Sequence, residues 1–393
     1  MNLTNKTESV VNAKCLGCAV PSCVRGCPVG TNIPLVVRLV QSGNFAKATK
    51  VVNHPFGGVC GSICPHDRQC RGSCVLAKKG QAVQIGNAEC EAFLRSPYVV
   101  TKQSDKLRGL NFAVVGGGVC GITFAVKCVE HGARVTLYEQ NRLLDTLYSV
   151  PDFRLERKFL DDIVSAVRLG NIQFVKQRVD RDGLVRLSDE FDAVLLAVGA
   201  KRQLVPDIDG ANFATSANDF LLCDKPCSAV IVGGGNTAMD CARLNVRQGG
   251  KSVVAYRRTV ADMPAFSAEI NSAIADGVVF ACNLSPKSIS QNTDGTLSVT
   301  LAQTLSDGRG KLTVLPQTQT FVCDKLVFAT GNSCDEMFCD VGKYVVTDEN
   351  RLVKGFDNVY CGGDAVGNTL VAQAVCDANF VFDVVTERFG VNL

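Results

Sequence analysis

The sequence predicts an α/β fold with two parallel-sheet modules, one inserted in the other, behind an α-helical amino-terminal region. Three observations predict it. A strand, glycine turn, helix and strand follow one another over 111–138, and the same succession returns over 228–256. Alternating segments over 284–322 add antiparallel strands to the second copy, and a last strand and helix at 358–361 and 369–388 complete the first. Residues 1–105 instead show short helical patterns, such as 33–41 and 45–53, with little strand signal.

A chain of 393 residues accommodates two or three domains. The expected division is 1–105, then 106–204 joined with 334–393, and 205–333 between them. The polar stretch 101–108 reads as a linker. Apolar residues make up 46% and charged residues 20%, an ordinary globular mixture. A net charge of +3 with Lys and Arg scattered along the chain points to neither nucleic acid nor a membrane surface. No apolar run is long enough to span a bilayer, and the polar first residues hold no signal-peptide core. A cytoplasmic location is expected.

The first turn reads Gly116-Gly117-Gly118-Val119-Cys120-Gly121, a G-x-G-x-x-G. Gly116 permits the tight turn, Gly118 lets a pyrophosphate reach the helix N-terminus, and Gly121 lets helix and strand pack closely. Glu139 ends the next strand, 23 positions beyond Gly116, where a carboxylate accepts from ribose hydroxyls. The second turn is Gly233-Gly234-Gly235-Asn236-Thr237-Ala238, a G-x-G-x-x-A, and the counterpart of Glu139 is Arg257, followed by Arg258. An arginine there pairs with a 2′-phosphate that an acid would repel. These are two Rossmann-like dinucleotide-binding domains, with NADP(H) expected at the second and a plain ribose at the first.

Twenty cysteines are many for such a chain. Eight fall between Cys15 and Cys74, as C-x2-C-x4-C-x3-C at Cys15, Cys18, Cys23 and Cys27, and C-x3-C-x5-C-x3-C at Cys60, Cys64, Cys70 and Cys74. Pro28 and Pro65 follow Cys27 and Cys64 and help to hold turns. Reduced thiolates at such spacings bind iron–sulfur clusters, and zinc is the alternative. The other twelve read mostly as small buried hydrophobes. Two dinucleotide sites beside iron–sulfur clusters suit a flavin that takes hydride from a nicotinamide and releases single electrons.

With these motifs the chain resembles the small subunit of bacterial glutamate synthase. It is also similar to the flavin subunit of NADH-dependent ferredoxin:NADP oxidoreductase and to the N-terminal half of dihydropyrimidine dehydrogenase. The marks are the cysteine pattern, Ile85-Gly86-Asn87-Ala88-Glu89, Val150-Pro151-Asp152-Phe153-Arg154-Leu155, Val198-Gly199-Ala200, Tyr256-Arg257-Arg258-Thr259, Met263-Pro264-Ala265 and Gly362-Gly363-Asp364-Ala365.

The resemblance implies an NADPH-dependent oxidoreductase with FAD and two 4Fe–4S clusters, serving a protein acceptor or a large partner subunit. It implies one cluster on Cys15, Cys18, Cys23 and Cys74. The other would sit on Cys27, Cys64, Cys70 and Glu89, with Cys60 spare and Cys90 the rival of Glu89. Asp364 would contact the flavin ribityl chain, and Arg154, Gly199 and Gly363 belong to the same motifs. The chain departs from the family where Leu143 and Leu144 replace a glycine pair and Ser149 a later glycine. That departure motivates the reading of a non-catalytic scaffold with a degenerate flavin site. A disulfide reductase of the thioredoxin reductase type is the other alternative, but beyond residue 100 the closest pairs, Cys223 with Cys227 and Cys334 with Cys339, lack C-x-x-C spacing.

Overall fold

The computed structural model describes residues 14–223, 225–307, 311–339 and 342–391. The amino-terminal stretch 1–13, expected to carry no targeting segment, lies outside them. The chain divides into two compact units: one holds the described residues up to Tyr148, Asp152–Lys201 and those from Cys334 onward, the other Ser149–Pro151 and Arg202–Ser333.

The first unit is built on a five-stranded parallel sheet in the order Val359–Cys361, Ala193–Leu196, Asn111–Val115, Arg134–Glu139, Gln173–Lys176. The central strands are continuous apolar runs because both faces are covered. Helices Val119–Glu130 and Val371–Arg388 pack together on one face, where Phe112, Phe124 and Phe382 meet ring to ring. Leu184 and Leu187 of helix Arg181–Glu190 join the core on the other face.

The helical region belongs to this same unit. Helix Ile33–Gln41 starts where the Asn32 side chain accepts from Leu35 N–H, with Pro34 in its first turn. Ile33, Val36, Val37 and Val40 give it one buried face. Helix Gly57–Ile63 has two small residues where it is crossed: a Cβ on Gly57 would lie 2.2 Å from the Phe93 ring, and one on Gly58 2.3 Å from the ring of Phe159. The second approach ties the helical region to helix Arg157–Leu169.

The second unit repeats the plan. Its parallel sheet runs Thr215–Ser216, Lys325–Phe328, Ser228–Val232, Lys251–Tyr256, Val279–Cys282. Helices Asn236–Arg247 and Ser267–Asp276 bury Met239, Ala242 and Ile270 on one face. The other face is covered by the expected antiparallel strands, Leu284–Gln291, Leu297–Ser306 and Leu312–Cys323, through Leu297, Val299 and Leu301. Among the described residues no helix is long and apolar enough to cross a membrane.

Candidate cofactor-binding sites

In each parallel sheet all strands end on one edge, and the loops after them gather there. The chain lays strands to one side of Asn111–Val115, then returns to the other, which opens a crevice at the carboxyl end of that strand. Gly116 follows it with φ +112, and a Cβ there would stand 2.2 Å from the carbonyl oxygen of Ala197. Gly121 admits no side chain either, since its Cβ would lie 2.0 Å from Gly116 O. Gly118 caps helix Val119–Glu130 and faces open space, which leaves the helix N-terminus accessible to a phosphate.

Glu139 is buried at the end of its strand. Its two carboxylate oxygens accept from Gly117 N–H and Asn141 N–H, each at 2.8 Å, so it is fixed against the glycine turn. Gly199, at φ +72, follows strand Ala193–Leu196 in the segment Ala197-Val198-Gly199. Arg154 lies half-buried in the turn before helix Arg157–Leu169. Leu144 keeps the left-handed backbone that a glycine takes easily, at φ +58, and its N–H donates to Gly117 O.

The loop after strand Val359–Cys361 carries Gly362, Gly363 and Asp364 to the same edge. Gly363 has φ +72 and donates its N–H to Asp377 Oδ2 at 2.9 Å. Asp377 also accepts from Asn368 Nδ2 at 2.7 Å and from Arg351 at 2.7 Å, so one buried carboxylate ties the whole loop to helix Val371–Arg388. Burial, then the nearby Asp377, pushes the Asp364 carboxyl up to about 6. Sequence reasoning missed Asp377, whose only signal is an acid set between the apolar Val375-Cys376 and Ala378 in the last helix.

The second unit repeats the close approach of the first at its turn. Gly233 has φ +148, and a Cβ there would stand 2.2 Å from Ala329 O, the counterpart of Ala197. Gly235 caps helix Asn236–Arg247 and faces open space; Ala238 is fully buried behind it. Asn236 accepts from Phe266 N–H at 2.9 Å, and Ala265 N–H donates to Gly234 O at 3.0 Å, so the Met263-Pro264-Ala265 segment folds back onto the turn. Arg257 is exposed directly after strand Lys251–Tyr256, and Arg258 is half-buried beside it. The repeat Ala329-Thr330-Gly331, with Gly331 at φ +103, was overlooked in the sequence although it copies Ala197-Val198-Gly199.

The cysteines form two groups. Cys15, Cys18, Cys23 and Cys74 line one partly open cavity, whose other walls include Ile33, Pro34, Leu76, Val83 and Ile85. Cys74 is brought to the other three from a distant part of the sequence. Among the described residues no three His, Cys, Asp or Glu side chains gather about a point as a lone metal ion needs.

The second group is Cys27, Cys60, Cys64, Cys70 and Glu89, which act on one another electrostatically. Burial, then the neighbouring Cys64, pushes Glu89 up to about 8. Hydrogen bonding with Cys60, against burial, and then the backbone of Ala372 in the first turn of helix Val371–Arg388 lower the Cys64 thiol. This group therefore borders the element that starts just past Asp364. Cys90 is turned elsewhere, with its thiol 3.6 Å from Gly58 O and 3.5 Å from Ser62 Oγ.

Residues 110–378, more than half of the chain, match the pyridine nucleotide-disulphide oxidoreductase family model. The chain belongs to this family. It is an oxidoreductase, and the paired parallel sheets are those of its fold. Residues 2–95 match a second model, described as dihydropyrimidine dehydrogenase domain II, 4Fe-4S cluster.

The resemblance to glutamate synthase small subunits holds along most of the chain. The glutamate synthase (NADPH) small chain of Escherichia coli is 28% identical over 94% of this chain and 89% of its own length. That of Azospirillum brasilense is 29% identical over 93% and 85%. Among solved structures, Mycobacterium tuberculosis FprA in complex with NADPH superposes with a TM-score of 0.59 at 18% identity, covering 72% of this chain and 85% of that one. Thioredoxin reductase of T. acidophilum superposes at 0.55 and 15% identity, covering 71% and 98%. These two likenesses show the fold.

Proposed function

We propose that the chain oxidises NADPH and, with FAD and two 4Fe–4S clusters, delivers electrons to a protein acceptor or partner subunit, in the manner of a glutamate synthase small subunit. The observation that carries this reading is the cavity walled by Cys15, Cys18, Cys23 and Cys74. Soft thiolates suit zinc and iron–sulfur alike, but thiols that line a space rather than converge on a point suit a multi-atom cluster better than a single zinc ion. Cys27, Cys64, Cys70 and Glu89 are the second ligand set. A backbone polar group beside a ligand sulfur, as that of Ala372 beside Cys64, is a lever on cluster potential.

The first glycine turn with Glu139, Arg154, Gly199, Gly363 and Asp364 holds FAD. Gly118 presents a helix N-terminus to its pyrophosphate, and Glu139, already fixed by Gly117, meets its ribose. Gly233, Gly235, Asn236, Ala238, Arg257 and Arg258 hold NADP(H). When bound, the flavin supplies the exchange between hydride and single electrons.

A disulfide reductase finds less support. Cys334 and Cys339 are in contact, but burial first and Cys339 next push the Cys334 thiol up to about 12, far from a reactive thiolate.

Anaerobically purified protein tests the proposal. It should hold about eight irons and about eight sulfides, with one FAD released on denaturation. Stoichiometric zinc without iron, or no flavin after reconstitution, would overturn it.

A further inference from the structure

The mouth of the thiol-lined cavity is apolar and its surroundings are basic. Leu16 and Val75 line the cavity yet are 63% and 47% exposed. Val20, two positions after Cys18, is 70% exposed. Apolar side chains exposed at a cavity mouth mark an interaction surface. Lys14, Arg25, Lys78 and Lys79 are exposed and near them in sequence, and the exposed Arg38, distant in sequence, brings its guanidinium to 3.5 Å from where a Cβ on Gly17 would stand.

The charge is one-sided. Residues 14–88 contain nine Lys and Arg and a single acid, Asp67, which already pairs with Arg71 at 3.5 Å. The whole chain carries only +3, so the remainder is net acidic. Lys and Arg are scattered through the sequence, but this stretch holds only one of the acids. Negative charge brought by a cluster would sit inside the cavity, whereas these five cations are at the surface.

We propose that Leu16, Val20 and Val75, with the basic residues about them, form the docking surface for an acidic single-electron carrier protein. The inference rests on the reading that a cluster occupies the cavity beneath. Complementary charge steers encounter and orients the carrier, and a small apolar centre suits the brief contact of an electron-transfer pair. Each encounter removes one electron from the chain and reduces the carrier by one, with no proton required to cross. A second copy of this chain would face the same cations with its own, so like charge disfavours self-association through this face.

Calorimetric titration of the holoprotein with an acidic plant-type ferredoxin tests the surface. Binding should weaken steeply as salt rises from about 20 to about 300 mM. Lys78→Glu with Lys79→Glu should raise Kd about tenfold or more, and Val20→Ser severalfold. Iron content and NADPH-dependent ferricyanide reduction should stay at the parent level. Three results would overturn the proposal: an unchanged Kd in these variants, equal binding of basic cytochrome c, or a dimer that Val20→Ser dissociates. Wild-type protein without iron would instead remove the cluster reading, whereas full iron with unmoved Kd removes only the docking surface.

Discussion

The backbone N–H of Leu144 donates to the carbonyl of Gly117 at 2.9 Å, and Leu144 adopts φ +58 while doing so. The same bond recurs in the second unit between Ala265 and Gly234. In both, the segment after the second strand folds back onto the glycine turn. In the first, this happens on a leucine in a conformation that costs a side-chain-bearing residue about 1–2 kcal/mol.

Leucine at 144 is also almost fully buried. Its apolar burial, worth about 1.5–3 kcal/mol, offsets the strained backbone. Leu144→Ala loses the burial and keeps the strain. Leu144→Gly loses the burial and relieves it. Thermal unfolding should therefore rank wild type above Leu144→Gly, and Leu144→Gly above Leu144→Ala by about 1 kcal/mol. The opposite order of the two variants would refute the strain at this position.

Glu89 and Cys90 separate cleanly by iron content. Cys90 is bonded towards Gly58 and Ser62, so Cys90→Ser should leave the iron count unchanged. Glu89→Ala should lower it by up to about four irons, one cluster. Loss of iron in the Cys90 variant alone would reverse the ligand assignment.

Arg257 and Arg258 follow strand Lys251–Tyr256, where the adenosine ribose of the second cofactor is proposed to lie. A charge-assisted bond to phosphate contributes about 1.5–3 kcal/mol. Wild type should prefer NADPH to NADH in kcat/KM. Arg257→Ala with Arg258→Ala should cut that preference about tenfold to a hundredfold, through weaker NADPH binding. An unchanged ratio would move the phosphate site elsewhere.

His54 predicts an acid-side loss of stability. Burial, then the positive charge of Lys127, pushes its imidazole down to about 3, and its Nδ1 accepts from Phe56 N–H. The unfolded chain takes up the proton near 6.5, while the folded chain does not. This group's contribution is full above about 6.5 and falls as pH drops below it, by about 1.4 kcal/mol per pH unit until the folded value is reached. The stability difference between wild type and His54→Gln should shrink between pH 7.5 and pH 5.5. A difference independent of pH would show that His54 is not buried neutral.

Asp377 gathers Gly363, Asn368 and Arg351 about one carboxylate. Asp377→Ala leaves Arg351 and the Gly363 N–H without their acceptor and should cost about 2–4 kcal/mol. The variant should also release flavin more readily, because the Gly363–Asp364 loop loses its tether. Flavin retained through gel filtration as in wild type would separate the loop from the flavin site.

Much of this was legible in the sequence because its causes are local. The two glycine turns are read from residues that are neighbours in the chain, where a positive φ or a close approach at Gly116, Gly121 and Gly233 excludes a side chain. The buried strands announce themselves as apolar runs, since a sheet covered on both faces has no polar side to alternate with. The helix at 371–388 was expected two residues early because Leu370 still has an extended backbone. The place of Glu139 followed from strand length, but its two bonds to backbone N–H groups did not, because they depend on how the turn folds back.

The α/β class, the paired turns, the acid at one strand end and the arginines at the other can all be read along the chain, since spacing along a strand or helix sets each of them. What meets across long separations is settled by the packing of the folded chain. It seated Cys74 with Cys15 in the wall of one cavity, brought Glu89 close enough to Cys64 to feel its charge, and set Asp377 beneath Gly363. These outcomes depend on which helix faces which loop once the apolar surfaces are buried, and no run of neighbouring residues encodes that.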